Sequence, residues 1–273
     1  MPELPDLEVI RLYLAPRLAG VSITSAKVRR PVLVRNLLGG DAAAHLVERS
    51  FAGVGRRGKF LVLSFDDGTA LVINAMLAGR LRYGEPLGRH RVRDALVLGL
   101  TDGRELRYHD AKDMGKLYLV RDLVQVPTLA GLGPEANSPE LTLDPFRERL
   151  RRHRGEIKGI LTNQTFVAGI GNAYADEILW RAGLYPFRRR PSLSDEEVAR
   201  LYEAMRAVLD EAVETLRARV GADIHIEVRD FLAVHGKTGQ PCLRCGSDIS
   251  SVSRSRRTTN FCRSCQPGLM IGR

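Results

Sequence analysis

The chain has 273 residues, room for two domains each burying its own core. A hydrophobic content of 44% and a charged content of 27% are those of a globular protein, and no apolar run is long enough to span a bilayer. The net charge of +10 favours a polyanionic partner, most often nucleic acid.

The first stretch is Met1-Pro2-Glu3-Leu4-Pro5-Asp6. Pro2 is small, so removal of Met1 is expected, leaving a secondary amine at the N-terminus. An α-amino group titrates near ~7.7–8.0, against ~10.4 for lysine, so part of it is unprotonated at neutral pH and can attack an electrophilic carbon. Glu3 beside it is placed to move protons. The acids Glu3, Asp6 and Glu8 leave no basic region of a signal peptide, which points to the cytoplasm. Pro5 and Asp6 start a helix with Leu7, Ile10 and Leu14 on one face, ending near Pro16 and Gly20.

Short apolar or alternating runs at 21–28, 59–65, 70–76, 95–100, 105–108 and 116–120 predict strands, separated by turns such as Asp66-Asp67-Gly68 and Thr101-Asp102-Gly103. Such regular spacing predicts an antiparallel β-sandwich. Gly53-Val54-Gly55-Arg56-Arg57-Gly58 matches G-x-G-x-x-G, but a strand rather than a helix follows, so it is not a dinucleotide fingerprint. It reads instead as a glycine-rich basic turn presenting Arg56, Arg57 and Lys59.

Residues 131–145, rich in Pro, Gly, Asn and Ser, read as a linker. Helices are predicted over 146–153, 156–161 and 173–182, the last after the turn Gly169-Ile170-Gly171-Asn172. Backbone N–H groups at that turn can grip a phosphate. Ser194-Asp195-Glu196-Glu197 is a capping box opening a long helix with Leu201, Met205, Val208, Leu209, Ala212 and Leu216 inward.

Cys242, Cys245, Cys262 and Cys265 are the four cysteines, spaced C-x2-C-x16-C-x2-C. Two tight turns aim four thiolates at one point, so one structural Zn2+ with no open coordination position is expected. The hairpin between them carries Arg254, Arg256 and Arg257, with Arg263 beyond, and suits phosphate or groove binding.

Together, Met1-Pro2-Glu3-Leu4-Pro5, Arg57-Gly58-Lys59-Phe60, Ala168-Gly169-Ile170-Gly171-Asn172-Ala173-Tyr174-Ala175 and the cysteine pattern with Arg257 ahead of Cys262 resemble the formamidopyrimidine-DNA glycosylase / endonuclease VIII family, in its order and across essentially the whole chain. The resemblance implies an α+β protein. Its parts are an N-terminal catalytic β-sandwich domain (1–130), a linker (131–145), a helical helix–two-turns–helix DNA-binding domain (146–240), a zinc-ribbon β-hairpin (241–266) and a tail (267–273).

The activity implied is that of a bifunctional DNA glycosylase and abasic-site lyase of base-excision repair, acting as a monomer on damaged double-stranded DNA in the cytoplasm at the nucleoid. A non-catalytic or abasic-site-restricted DNA-binding relative is the alternative. Pro2 matches the nucleophile that attacks C1′, and Glu3 the acid/base. Lys59 matches the lysine assisting β-elimination, and Arg257 the finger arginine that grips flanking phosphates and is associated with δ-elimination. Asn172 and Lys158 match phosphate-backbone ligands, and His90 is a further candidate DNA contact.

The chain departs from the family at Asn74-Ala75-Met76-Leu77-Ala78-Gly79 and at Asp110-Ala111-Lys112-Asp113-Met114-Gly115. Leu77 and Met114 fall at the wedge positions and can still fill the gap left by a flipped nucleotide. Lys112 replaces an arginine that contacts the orphaned base, and lacks its planar fork. Asp113 puts a negative charge where the family has an arginine. Altered or relaxed preference for the opposite base is expected. The segment 221–240 is short compared with the 8-oxoguanine-cleaving branch, which argues against efficient removal of 8-oxoguanine. His225 and Glu227 within it read as surface residues.

Overall fold

The computed structural model describes residues 1–88, 92–254 and 257–268. It is mixed α and β, with sheets in the N-terminal part, helices in the middle and a cysteine-bearing hairpin at the end. By packing, the chain divides into Met1–Gly131 with Val213–Val228, and Leu132–Ala212 with Arg229–Arg273.

The first unit opens with helix α1 (Leu4–Leu18). Glu3 caps it through a reciprocal capping box with Asp6, whose carboxylate accepts the Glu3 N–H at 2.7 Å. Leu4, Leu14 and Leu18 are fully buried, each contributing about 1.5–3 kcal/mol, and the helix packs on strands β3 and β4 described below. Pro16 lies inside the last turn rather than ending it.

Two sheets follow among the described residues. The strands are β1 (Ile23–Val28), β2 (Val34–Asn36), β3 (Phe51–Arg57), β4 (Phe60–Phe65), β5 (Ala70–Asn74), β6 (Gly79–Gly84), β7 (Asp94–Leu100), β8 (Glu105–Asp110) and β9 (Lys116–Val120), with the short helix α2 (Ala42–Leu46) after β2. One sheet runs β2-β9-β5-β4-β3 and the other β1-β7-β8-β6. All pairings are antiparallel except β2 with β9, which is parallel and breaks the expected all-antiparallel pattern. The near-continuous apolar run of β4 belongs to an inner strand between β3 and β5.

The glycine-rich stretch before Lys59 is not a turn as expected. It forms β3, paired residue for residue with β4, from Val54 opposite Leu63 to Arg57 opposite Phe60. Only Gly58 and Lys59 form the loop, and Gly58 supplies the positive φ of +54° that a two-residue hairpin needs.

The second unit holds α3 (Leu143–Arg151), α4 (Ile157–Leu161), α5 (Asn172–Ala182) and most of α6 (Asp195–Val220). The expected capping box opens α6: the Glu197 N–H donates to Ser194 Oγ at 3.3 Å, and the Ser194 N–H to Glu197 Oε2 at 2.9 Å. Phe146 is fully buried and packs on Phe166 and Tyr202, with ring centroids 5.4 and 5.5 Å away. The unit ends in the hairpin β10 (Ile249–Arg254) and β11 (Arg257–Cys262).

Candidate active site and nucleic-acid interface

The expected site residues fall into both units. In the first, Pro2 and Glu3 are buried at the head of α1, and Glu3 is only 3% exposed. The capping box fixes this end of the chain. The Met1 amine lies 3.7 Å from Glu227 Oε1, and Glu227 also pairs with Arg80. Pro2, Asp6, Gly79, Arg80 and Glu227 share a cavity of about 30 Å³ whose remaining wall is apolar, including Leu216, Val220 and Ile226. Glu227, expected at the surface, is thus one-quarter exposed and ion-paired. The sequence carried no signal for this, because its partner Arg80 is 147 positions away.

Lys59 sits half-buried at the tip of the β3–β4 hairpin. Behind it Glu8 joins α1 to β3: its Oε2 is 2.9 Å from Arg56 Nε and its Oε1 accepts from Arg11. Burial raises the Glu8 carboxyl, but the hydrogen bonds from Arg11 and Arg56 outweigh it and hold the group below its ordinary 4.5.

The two expected wedges are both exposed, Leu77 at 48% and Met114 at 39%. Their loops are held by specific backbone hydrogen bonds. Met76 has a φ of +47°, and its N–H donates to Asn74 Oδ1 at 3.1 Å. Asp110 is fully buried and accepts three backbone N–H groups of the second loop, from Lys112 at 2.9 Å, Met114 at 3.1 Å and Gly115 at 2.6 Å. Tyr108 stands between the loops. A Cβ on Gly79 would lie 2.0 Å from its hydroxyl and one on Gly115 1.8 Å, so both loops need glycine to close on the ring. Asp113 does not present a bare negative charge, since Arg30 and Arg93 both pair with it, Arg93 Nη1 at 2.6 Å. Lys112 is exposed beside it. His90 lies outside the described residues, as does Arg256.

In the second unit three candidates meet one strand. Asn172, the first residue of α5, donates from Nδ2 to the Thr258 carbonyl at 2.8 Å. Lys158 Nζ donates to Thr259 Oγ1 at 2.8 Å. Arg257, next to Thr258 at the start of β11, is exposed. Asp176 and Glu177, also on α5, are buried and must be matched by partners. Asp176 takes Lys158 Nζ at 2.7 Å, His235 Nδ1 at 2.8 Å and the Asn260 N–H at 3.1 Å. Glu177 accepts the backbone N–H groups of Ala233, Val234 and His235 at 2.8–2.9 Å, yet burial still pushes its carboxyl up. Helix, hairpin and the 233–235 segment are thereby tied together.

The sulfurs of Cys242, Cys245, Cys262 and Cys265 all lie within 4.8 Å of one another. Zn–S bonds of about 2.3 Å in a tetrahedron put sulfurs about 3.8 Å apart. Cys242 to Cys265 is 3.9 Å and Cys245 to Cys262 is 3.4 Å, so the four thiols fit one structural zinc ion. Ser247 hydrogen bonds lower the Cys245 thiol to about 6, whereas burial raises Cys265 to about 12; a zinc ion holds both as thiolates. The Trp180 indole N–H points at Cys242 Sγ from 3.4 Å and steadies the cluster against α5.

A buried Glu3 beside a fixed N-terminus, a helix N-terminus set against a four-cysteine cluster and a net charge of +10 fit a nucleic-acid-processing protein with a structural metal. Comparison with known proteins places it within that class. The model of the formamidopyrimidine-DNA glycosylase N-terminal domain matches residues 1–117, that of the formamidopyrimidine-DNA glycosylase H2TH domain residues 132–222, and that of the zinc finger found in FPG and IleRS residues 239–268. Formamidopyrimidine-DNA glycosylases of Heliobacterium modesticaldum and Thermus thermophilus are each 38% identical to it, over 97% of this chain and 100% and 98% of theirs. A Lactococcus lactis formamidopyrimidine-DNA glycosylase solved in complex with abasic-site DNA superposes with a TM-score of 0.88 at 30% identity, covering 97% of this chain and all of that one. The same enzyme solved with DNA containing a ring-opened guanine (Fapy-dG) gives 0.87. The chain belongs to the formamidopyrimidine-DNA glycosylase family.

Proposed function

We propose that the protein is a bifunctional DNA glycosylase and abasic-site lyase of base-excision repair whose nucleophile is the Pro2 amine, freed by loss of Met1. The observation that carries this reading is the fixing of the N-terminus, with Pro2 buried beside a capping box that holds Glu3. A frayed terminus would have no such constraint. The non-catalytic alternative is not favoured, since it gives no reason for that constraint.

In this reading DNA is gripped through its phosphates, by Arg257 and Asn172 in the second unit and by Lys59 in the first. The damaged nucleotide is flipped out at a cost of a few kcal/mol, and Leu77 and Met114 fill the gap. The secondary amine attacks C1′, and the C1′–N bond to the base breaks as the base leaves with the proton that the attacking amine gives up. Glu3 supplies a proton to the sugar oxygen, and the ring opens to an iminium. The iminium acidifies the C2′ proton. Its removal, assisted by Lys59, expels the 3′ phosphate. No step needs a metal, so the zinc acts by holding Arg257 in place.

The reading includes action as a monomer on duplex DNA in the cytoplasm. The described residues contain no helix long and apolar enough to cross a membrane. Duplexes carrying ring-opened purine, oxidised pyrimidine, 8-oxoguanine or a bare abasic site, each opposite all four bases, test it. Strand scission is expected at one or more of the first two and at the abasic site, with 8-oxoguanine opposite cytosine cut least. Inertness of correctly processed protein toward all of them would overturn the reading.

A further inference from the structure

The first unit holds a second cavity, of about 200 Å³, that the chemistry above does not use. Its polar lining is Arg80, Arg82, Asp94, Arg107, His109 and His225. The first pairs follow from strand register. Arg80 lies opposite His109, and Arg82 opposite Arg107, on β6 and β8. Alternation puts all four side chains on one face of the sheet, where like charges opposite one another are unfavourable unless something neutralises them.

Most of that charge is matched within the protein. Arg107 is buried and pairs with Asp94, its Nη1 3.0 Å from Oδ2, and with Glu105, while its Nη2 donates to the Leu87 carbonyl at 2.8 Å. His109 Nδ1 turns to Asp94 Oδ1 at 3.4 Å, and Arg80 pairs with Glu227. Two groups are left over. Arg82 makes no side-chain hydrogen bond or ion pair among the described residues, and the buried Nδ1 of His225 has no partner. Arg82, which has no counter-charge of its own, and His225, whose buried Nδ1 is unpaired, both line the cavity, and each is completed by an acceptor rich in oxygen.

We propose that this cavity is an oxyanion site for a phosphate monoester or inorganic phosphate, gripped by the Arg82 fork and by His225, with Arg80 and Arg107 contributing to its field. The planar guanidinium matches two phosphate oxygens at once. A cavity of about 200 Å³ is ample for a tetrahedral anion. Two sources share this chemistry: free phosphate, and the 5′-phosphate end that β-elimination leaves on a cleaved strand.

Titration calorimetry of the zinc-loaded full chain with inorganic phosphate, in a phosphate- and sulfate-free buffer at fixed ionic strength, tests the site. Saturable binding of a single phosphate is expected. Arg82→Ala weakens it about 10- to 100-fold, the loss of one charged hydrogen-bonding partner. His225→Ala, outside the sheets, weakens it too and carries the test should Arg82→Ala fail to fold. No saturable binding by the wild type, or equal affinity in it and both variants, overturns the proposal. A second arm compares gapped duplexes ending in 5′-phosphate or 5′-hydroxyl. A preference for phosphate that Arg82→Ala abolishes supports the proposal with the strand end as source; Arg82-dependent phosphate binding without that preference supports it with free phosphate as source.

Discussion

The Lys158 ammonium lies 2.7 Å from Oδ1 of Asp176, a carboxylate with no exposed surface. Lys158 itself is 8% exposed and also donates to Thr259 of the zinc hairpin. A residue expected from sequence to meet DNA phosphate is therefore also part of the join between helix and hairpin, and a phosphate reaching it would have to share it with Asp176.

Removing one partner of a buried pair strands the other. Asp176→Ala is expected to cost about 3–5 kcal/mol in urea unfolding. Lys158→Ala added to it should cost much less than the sum of the two single changes, because the stranded ammonium is gone. Additive losses would mean that the pair does not act as a unit.

Asp110 shapes the loop that carries Lys112 and Met114 by accepting its three N–H groups. Asp110→Ala leaves them buried or half-buried without an acceptor, and a loss of about 3 kcal/mol or more is expected. Discrimination among opposite bases should also fall, read as the ratio of cleavage rates with each base facing the lesion. A variant of unchanged stability and unchanged ratios would contradict the role given to this carboxylate.

Glu8 gives a pH signature. Its folded carboxyl titrates below its ordinary 4.5, so the unfolded chain binds the proton more tightly. The stability it contributes is therefore present above pH 4.5 and is lost as pH falls through the folded value. Unfolding midpoints followed from neutral pH to about pH 3 should show a shallower acid limb for Glu8→Gln than for the wild type. Parallel limbs would show that the links to Arg11 and Arg56 add nothing.

How far the sequence carried depends on the range of the signals. The cysteine spacing is local, and it placed the metal cluster correctly. Strands β1, β4, β5, β7, β8 and β9 were legible because each is apolar or alternating between clear turns. Strand β3 was misread, since Gly53, Gly55, Arg56 and Arg57 look like a turn until the β4 partner is known. Strand β2 is three residues long and exists only through its parallel partner β9. Strand β6 alternates well, but its glycine ends masked it. The partners of Asp113 and Glu227 are Arg30, Arg93 and Arg80, all distant in sequence, so no local pattern could announce them.

The central claim is that the Pro2 amine forms the covalent bond to the sugar. It is tested most directly by incubating the processed protein with an abasic-site duplex and borohydride, then mapping the adduct by peptide mass. A stable protein–DNA adduct on Pro2 is expected, lost in Pro2→Gly or moved to the new terminal amine at a much reduced rate, and absent when an N-terminal extension converts that amine to an amide. An adduct of undiminished yield on Lys59 or any other side chain, or no adduct at all, would contradict it.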